Sequence, residues 1–240
     1  MIPDLHRPPV LPASREALIL PVDKPPTWTS FGIVKVLRGI LGIRKIGHAG
    51  TLDPMATGLL ICLAGRATKQ QDTFMGLPKV YTGTLRLGGV TPSYDAETDV
   101  TDLVDASHIA DRDLEAAVQA FLGPIDQTPP MYSAVKVGGE RLYKKARRGE
   151  TVARKTRRVT IEAFAITSRQ GDDVSFRVSC SKGTYIRALA HDVGQHLGVG
   201  AYLTALRRTA IGACTVDEAW TLDQLRAAAG QPGPNAAESA

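Results

Sequence analysis

The most constraining feature of this sequence is the stretch 45–58, which reads Lys-Ile-Gly-His-Ala-Gly-Thr-Leu-Asp-Pro-Met-Ala-Thr-Gly. Its three glycines and Pro54 exclude a helix, because glycine destabilises a helix and proline removes a backbone donor. The apolar run 59–64 follows, bounded by Gly58 and Gly65, which predicts a buried strand. We therefore expect an ordered loop that is braced by a core strand and that needs unusual dihedral angles or a close approach to another group.

Asp53 and His48 are the reactive side chains of this loop. Catalytic groups are often carried by loops on a rigid scaffold, so the two residues form a candidate site. A structural interpretation fits the residues alone equally well: Asp53 would close a turn with its own backbone, and His48 would be a hydrogen-bonded loop histidine. Spacing alone does not choose between these interpretations.

Longer segments on both sides of the loop resemble a known protein family. The pattern Gly-His-x-Gly-Thr-Leu-Asp-Pro-x-Ala-x-Gly-x-Leu, closed by Gly-Arg-Ala-Thr-Lys at 65–69, resembles the catalytic motif of the tRNA pseudouridine synthase B family. Three more segments resemble that family in the same order, namely 24–30, 130–136 and 180–187. The resemblance extends over about residues 16–226. One departure is Thr27, where the family usually has glycine, and it concerns the geometry of a local turn.

The resemblance implies an α+β protein with the pseudouridine synthase fold, a mixed and mostly antiparallel sheet with flanking helices and a central cleft. Frequent hairpins and the lack of an internal repeat agree with this class. We expect a loose segment at 1–15, a catalytic domain at 16–226 with an RNA-binding thumb insertion at 127–155, and a disordered tail at 227–240. A C-terminal PUA domain is usual in the family, and we do not expect one within this chain.

Hydrophobic patterning predicts the main helices and strands. A helix should begin at an N-cap Ser30 and bury Phe31, and a second helix should run over 185–197 with Thr184 as its cap. A short helix is expected at 201–206. The predicted strands are 17–23, 59–64, 79–87, 131–137, 159–167 and 174–180.

The resemblance also implies the chemistry, which is the isomerisation of uridine 55 in the T-loop of tRNA. Asp53 would be the essential carboxylate, and whether it attacks C1′, adds to C6 or removes a ribose proton stays open. The resemblance further implies that Arg187 pairs with Asp53 and keeps it ionised, and that Tyr81 stacks on the uracil. Substrate contacts are implied for His48, Tyr185, Leu206 and Lys24. His48 would fill the space that the extruded base leaves.

A strongly basic segment accompanies these motifs. Residues 136–158 hold ten Lys and Arg side chains against two glutamates, a net charge of +8 in a chain whose formal charge is +5. Such clustering indicates a polyanionic partner rather than a solvated face with mixed charges. We expect contacts to the RNA backbone from Lys136, Arg141, Lys144, Lys145, Arg147, Arg148 and Arg154.

No cofactor is expected, because the isomerisation transfers no electrons and the sequence lacks the usual phosphate-binding glycine patterns. The histidines and the three cysteines lack the spacing of metal ligands, so we expect no metal either. Scattered cysteines in apolar surroundings are typical of a reducing cytoplasm, and no apolar run reaches 18 residues. We expect a cytoplasmic monomer that binds the T-arm stem-loop of tRNA and needs neither a protein partner nor a membrane.

Two other functions compete with the enzyme. A non-catalytic protein that binds and folds tRNA could use the same cleft, but it would not need Asp53 or Arg187. Guide-RNA-dependent relatives form another option, although they depend on the C-terminal domain and on partner proteins. The presence of both Asp53 and Arg187 favours the enzyme.

Overall fold

The computed structural model describes residues 16–230. The strands are β1 (Ala17–Lys24), β2 (Ile46–His48), β3 (Thr57–Gly65), β4 (Lys79–Leu87), β5 (Gly123–Gln127), β6 (Lys136–Val137), β7 (Glu140–Arg141), β8 (Arg157–Gln170), β9 (Asp173–Cys180), β10 (Ala201–Ile211) and β11 (Cys214–Thr215). The α-helices are α1 (Ser30–Leu41), α2 (Gln71–Gly76), α3 (Asp111–Ala120), α4 (Leu142–Arg147), α5 (Ile186–His196) and α6 (Leu222–Ala228). The predicted segment 1–15 and residues 231–240 of the predicted tail lie outside the described residues.

The described chain forms two compact units, one built from residues 16–79 and 207–230 and the other from residues 80–206. In the first unit β3 is central. It pairs antiparallel with β1 and β2, and parallel with the end of β10, where Arg207 faces Thr57. All of the side chains from Leu59 to Ala64 are buried, as expected for the predicted core strand.

The second unit is a sheet with two flanking helices. Its strands follow the order β10-β4-β9-β8-β5, and β6 and β7 form a separate small hairpin. β8 and β9 are antiparallel, and Phe164 meets Phe176 edge to face between them, with ring centroids 5.6 Å apart. Helices α3 and α5 bury their apolar faces, and an added Cβ at Gly194 of α5 would collide with the backbone nitrogen of Ala201. Only glycine allows the start of β10 to lie this close to α5.

Several predicted elements are wrong in type. Residues 201–206 form the first part of β10 rather than a helix, because pairing within the sheet outweighs the helix preference of Ala and Leu. Most of the predicted strand 131–137 is irregular, and only Lys136 and Val137 are in a strand. Ile46–His48 is a short strand rather than part of the loop, and β5 was not predicted.

The predicted helix boundaries also need correction. Thr29 caps α1 by accepting a hydrogen bond from the Gly32 nitrogen, while Ser30 is the first helical residue. Phe31 is 53% exposed, because it lies on the outer side of α1 against Lys35 and Arg38.

Two further boundaries differ near the end of the chain. The Thr184 hydroxyl donates to the Ser181 carbonyl and does not cap α5, whose N-cap residue is Tyr185. Helix α6 continues to Ala228, so the first residues of the predicted tail are helical.

Candidate active site

Asp53 lies on a loop whose peptide groups are held on both sides. The buried hydroxyl of Ser30, at the start of α1, accepts from the Leu52 nitrogen at 2.8 Å and lies 3.1 Å from the Leu52 carbonyl oxygen, to which it donates. On the other side, the Ala56 nitrogen donates to the Asp53 carbonyl at 3.1 Å. The backbone that carries this carboxylate is therefore anchored, which pre-organises its position.

Lys24 anchors the same loop from the end of β1. Its side chain is fully buried, and its ammonium donates to the carbonyl oxygens of Pro25, Trp28 and Pro54 at 3.0, 2.7 and 3.1 Å. These contacts satisfy the ammonium inside the protein, as a buried charge requires. The resemblance implies a substrate contact for Lys24. Because its ammonium is already bound by three carbonyls, we expect Lys24 instead to support the loop beside Asp53.

Arg208 is a third buried anchor, and it was not identified from the sequence. Only 1% of its surface is exposed, and its guanidinium donates to the carbonyls of Leu59 and Gly50 at 2.7 and 3.0 Å. The backbone of Arg208 lies so close to β3 that a Cβ at Gly58 would collide with its carbonyl oxygen. This close approach explains why glycine ends the motif.

His48 stands at the end of β2, opposite Cys62 of β3. Burial, followed by the positive charge of Arg208, lowers the pKa of His48 below 6.5, so its imidazole is neutral at pH 7. Its Nδ1 is buried and has no hydrogen-bond partner in the described part of the chain. A neutral ring suits the space-filling role expected for it better than a role as a charged acid.

The turn that precedes α1 contains Thr27, the threonine that departs from the family motif at 24–30. Thr27 has a φ of +68°, in the left-handed region that glycine adopts most easily. This is the position at which the family usually has glycine. The backbone geometry is thus that of a glycine turn, with a threonine in it at a cost of about 1–2 kcal/mol.

In the second unit, Arg187 of α5 is buried and bound at several points. Its Nη1 donates to the Ser93 carbonyl at 2.7 Å and lies 3.3 Å from Oδ2 of Asp95, and its Nη2 donates to the Tyr132 carbonyl at 2.8 Å. Asp95 is fully buried. Its Oδ1 accepts from the Ser93 hydroxyl at 2.6 Å and from the Glu97 nitrogen at 3.0 Å.

Asp95 is therefore the carboxylate that binds Arg187 in the second unit, and the sequence did not single it out. Two buried ions attract each other strongly, and the bonds from Ser93 and Glu97 satisfy the carboxylate further. The signal in the sequence was weak, because Asp95 is one of several carboxylates in the segment 89–110. Among the described residues, no group of His, Cys, Asp and Glu has the arrangement of a metal site.

Tyr185 immediately precedes α5, and Gln127 of β5 holds its peptide. Gln127 is 1% exposed and bonds both ways, accepting from the Tyr185 nitrogen at 2.7 Å and donating to its carbonyl at 3.0 Å. The guanidinium of Arg157 lies over the Tyr185 ring, 5.0 Å from its centroid. Gln127 is a second supporting residue that sequence reasoning missed.

Tyr81 of β4 and Leu206 of β10 are both buried in the second unit. Gly83 lies two residues after Tyr81 in β4, where close packing leaves no room for a side chain. A Cβ there would lie 2.7 Å from the Ala205 carbonyl and 2.8 Å from the Phe176 ring. The first unit thus carries Asp53, His48 and Lys24, and the second carries Tyr81, Tyr185, Arg187 and Leu206.

The basic side chains of the predicted thumb fall into two groups. Arg148 binds Glu140 through two hydrogen bonds of 2.8 Å and Glu150 through one of 2.7 Å, and Lys145 lies 3.9 and 3.7 Å from the same carboxylates. Arg154 donates to the Pro129 carbonyl. No ion pair within residues 16–230 involves the remaining expected RNA-binding side chains, Lys136, Arg141, Lys144 and Arg147, all of which are exposed.

Comparison with family models and curated proteins gives consistent matches. Residues 38–186 match the N-terminal domain of the TruB family of pseudouridylate synthases, and residues 187–235 match the C-terminal domain described for tRNA pseudouridylate synthase B. The tRNA pseudouridine synthase B of Thermobifida fusca is 49% identical over 214 residues, 86% of this chain and 73% of that protein. The same enzyme of Opitutus terrae is 47% identical over 209 residues, 87% of each chain.

Solved structures support the fold. A Cbf5–Nop10–Gar1 complex contains a chain that is 31% identical, with a TM-score of 0.69, over 88% of this chain and 54% of that one. An H/ACA RNP bound to a substrate RNA containing 2′-deoxyuridine gives 28% identity and a TM-score of 0.66 over 88% of this chain. The chain spans about half the length of these two. The α+β fold with a mixed sheet and flanking helices is confirmed, and the chain belongs to the TruB family of pseudouridylate synthases.

Proposed function

We propose that this protein is a tRNA pseudouridine synthase that converts uridine 55 in the T-loop into pseudouridine. The observation that carries this proposal is Asp53, held in the family's catalytic motif between peptide groups that Ser30 and Lys24 fix from inside the protein. The names of the curated relatives support tRNA as the substrate. The T-arm as the recognised part comes from the sequence motif and is part of the proposal.

The reaction requires a group that controls the ribose and the base while the uracil turns over. The bond between N1 and C1′ breaks, C5 bonds to C1′ and loses its proton, and N1 takes up a proton. No electron leaves the molecule, so a single well-placed carboxylate is a sufficient nucleophile or base. Asp53 supplies that carboxylate by any of the three routes considered above.

Arg187 is proposed to control the charge in the site. Its contacts with Asp95 and with the carbonyls of Ser93 and Tyr132 fix the plane of the guanidinium. A fixed guanidinium can hold a carboxylate ionised and oriented, the role that the resemblance implies for Arg187 toward Asp53. Asp95 would then act on the reaction through Arg187, as a positioning residue.

Four more side chains are proposed to bind the extruded base or to fill the space that it leaves. A T-loop uridine has to be extruded at a cost of a few kcal/mol before it can react. Tyr81 would stack on the extruded uracil, Tyr185 and Leu206 would line its pocket, and His48 would occupy the vacated space. The neutral state of His48, which follows from its lowered pKa, supports the last assignment.

The predicted thumb, 127–155, is proposed to bind the phosphates of the T-arm. Lys136, Arg141, Lys144 and Arg147 are exposed and are the best candidates, because Lys145 and Arg148 already face Glu140 and Glu150. Phosphate contacts of this kind give affinity without sequence information.

We propose that the enzyme works as a monomer in the cytoplasm, where the three cysteines would stay reduced. Burial raises the pKa of the Cys62 thiol to about 12, which leaves this thiol unreactive. None of the described helices is long and apolar enough to span a membrane. Light scattering of the purified protein, alone and with tRNA, tests the monomer.

The test of the function is tritium release from unmodified tRNA labelled at C5 of uridine, followed by mapping of the product to one nucleotide. We expect stoichiometric release and pseudouridine at position 55, and no release from a tRNA with cytidine at that position. An isolated T-arm stem-loop, used in parallel, should also be a substrate. Binding of tRNA without release would refute the proposal and favour the non-catalytic tRNA-folding protein.

A further inference from the structure

A second interaction joins α5 to the loop that carries Asp95. The rings of Tyr94 and His191 are stacked, with centroids 3.9 Å apart and an angle of 10° between their planes. Tyr94 directly precedes Asp95, and His191 follows Arg187 by four residues, which places both on one face of the helix. The loop residues 94 and 95 are thus each held by a side chain of the same helix face.

Tyr94 has a backbone conformation that few side chains tolerate. Its φ is +65°, a strained region for a bulky residue that persists only where the surroundings impose it. Here its nitrogen donates to the Thr91 carbonyl at 3.1 Å, and its carbonyl accepts from the Leu203 nitrogen at 3.0 Å. The turn directs the side chain of Tyr94 toward His191 and that of Asp95 toward Arg187.

Within residues 16–230, the stack on Tyr94 is the one aromatic contact of the His191 ring. Its ring is half-buried, and the buried Nδ1 has no hydrogen-bond partner within residues 16–230. Burial lowers the pKa of His191, so the ring is neutral and stacks on Tyr94 without a charge to solvate. The proposed chemistry does not use this histidine.

We propose that Tyr94 and His191 are positioning residues for the reaction, because their stack fixes the left-handed turn that presents Asp95 to Arg187. The inference rests on the proposed function, in which Arg187 acts in the site. A loosened turn would let the Asp95 carboxylate move away from the guanidinium, and an error of about 1 Å in such a group can lower a rate by about 100-fold.

The chain allows variants that separate positioning from stability. Tyr94→Gly removes the ring but suits a φ of +65°, so the fold should be retained. Tyr94→Phe and His191→Phe keep an aromatic stack, whereas His191→Ala removes it without touching the loop backbone. His196→Ala is the matched control, since His196 lies on the same helix and meets Phe121 edge to face at 6.0 Å.

We expect kcat to fall at least about tenfold in Tyr94→Gly and His191→Ala, with little change in KM for tRNA. The two Phe variants should stay within about threefold of the parent, and His196→Ala should match it. Tyr94→Gly combined with His191→Ala should be no worse than either alone, since coupled residues are non-additive. A parental kcat in Tyr94→Gly, or additive losses in the double variant, would overturn the inference.

A second measurement does not depend on turnover. Amide hydrogen exchange of residues 93–97 should be faster in His191→Ala than in the parent and unchanged in His196→Ala. Unchanged exchange in His191→Ala would contradict the inference even in a protein without activity. Absence of pseudouridine formation in the parent, with faster exchange in His191→Ala, would instead contradict the proposed function alone.

Discussion

Arg187 and Asp95 form a buried ion pair, with Nη1 of the arginine 3.3 Å from Oδ2 of the aspartate and both side chains withdrawn from solvent. Such a pair is costly to assemble and is strongly disturbed when one partner is removed. The pair joins α5 to the loop 91–98 within the second unit.

The first prediction concerns the aspartate of this pair. Asp95→Asn keeps the shape and the Ser93 hydrogen bond but removes the charge that faces the guanidinium. We expect kcat to fall by more than about tenfold, with the KM for tRNA nearly unchanged, and stability to fall by about 3–5 kcal/mol. Steady-state kinetics and denaturant unfolding measure the two effects. A parental kcat would show that the pair is only structural.

The second prediction concerns the arginine. Arg187→Lys keeps one positive charge, but a single ammonium lacks the planar fork that reaches the carbonyls of Ser93 and Tyr132 together. We expect turnover to fall about as steeply as in Asp95→Asn, with tRNA binding retained. An unchanged rate together with an unchanged pH profile would contradict the assigned role.

The third prediction separates the two groups of thumb cations. Lys144→Ala combined with Arg147→Ala should raise the KM for tRNA and flatten the salt dependence of binding, by roughly 0.7–0.9 in the log–log slope for each phosphate that is no longer neutralised. Arg148→Ala is the matched control, because Arg148 is engaged by Glu140 and Glu150. Equal slopes for the parent and the double variant would mean that Lys144 and Arg147 only face solvent.

The fourth prediction is a pH dependence of stability. Burial raises the pKa of Asp192 to about 6, above its ordinary 3.8, so the folded protein holds this proton more tightly than the unfolded chain. The contribution to stability is therefore complete below about pH 4 and is lost as the pH rises through 6. Asp192→Asn should gain stability over the parent across that window. A difference that stays constant between the acid and the alkaline side of the window would contradict it.

Local patterns identified the features whose causes are local. The run Leu59–Ala64 is apolar because β3 is buried on both faces, and Gly50 and Gly58 lie close to Arg208. The motif that contains Asp53 is likewise continuous in the sequence, although its anchors Ser30 and Lys24 come from 22 to 30 positions away.

Features that depend on distant parts of the chain could not be predicted from local pattern. Residues 201–206 have a helical composition and form a strand because distant segments, β4 and the loop at Tyr94–Ala96, pair with them. Arg187 and Ser93 are 94 positions apart, so neither sequence context reveals their hydrogen bond. The same holds for Gln127 and Tyr185, 58 positions apart. Only the fold brings these groups together.

The most direct test of the account is Asp53→Asn, assayed for tritium release and for tRNA affinity. The amide keeps the size of the side chain and leaves the anchors at Leu52 and Pro54 intact. We predict no measurable turnover and a Kd for tRNA within about a factor of ten of the parent, because affinity comes from phosphate contacts elsewhere. Tritium release at the parental rate would contradict the assignment of Asp53 as the essential carboxylate.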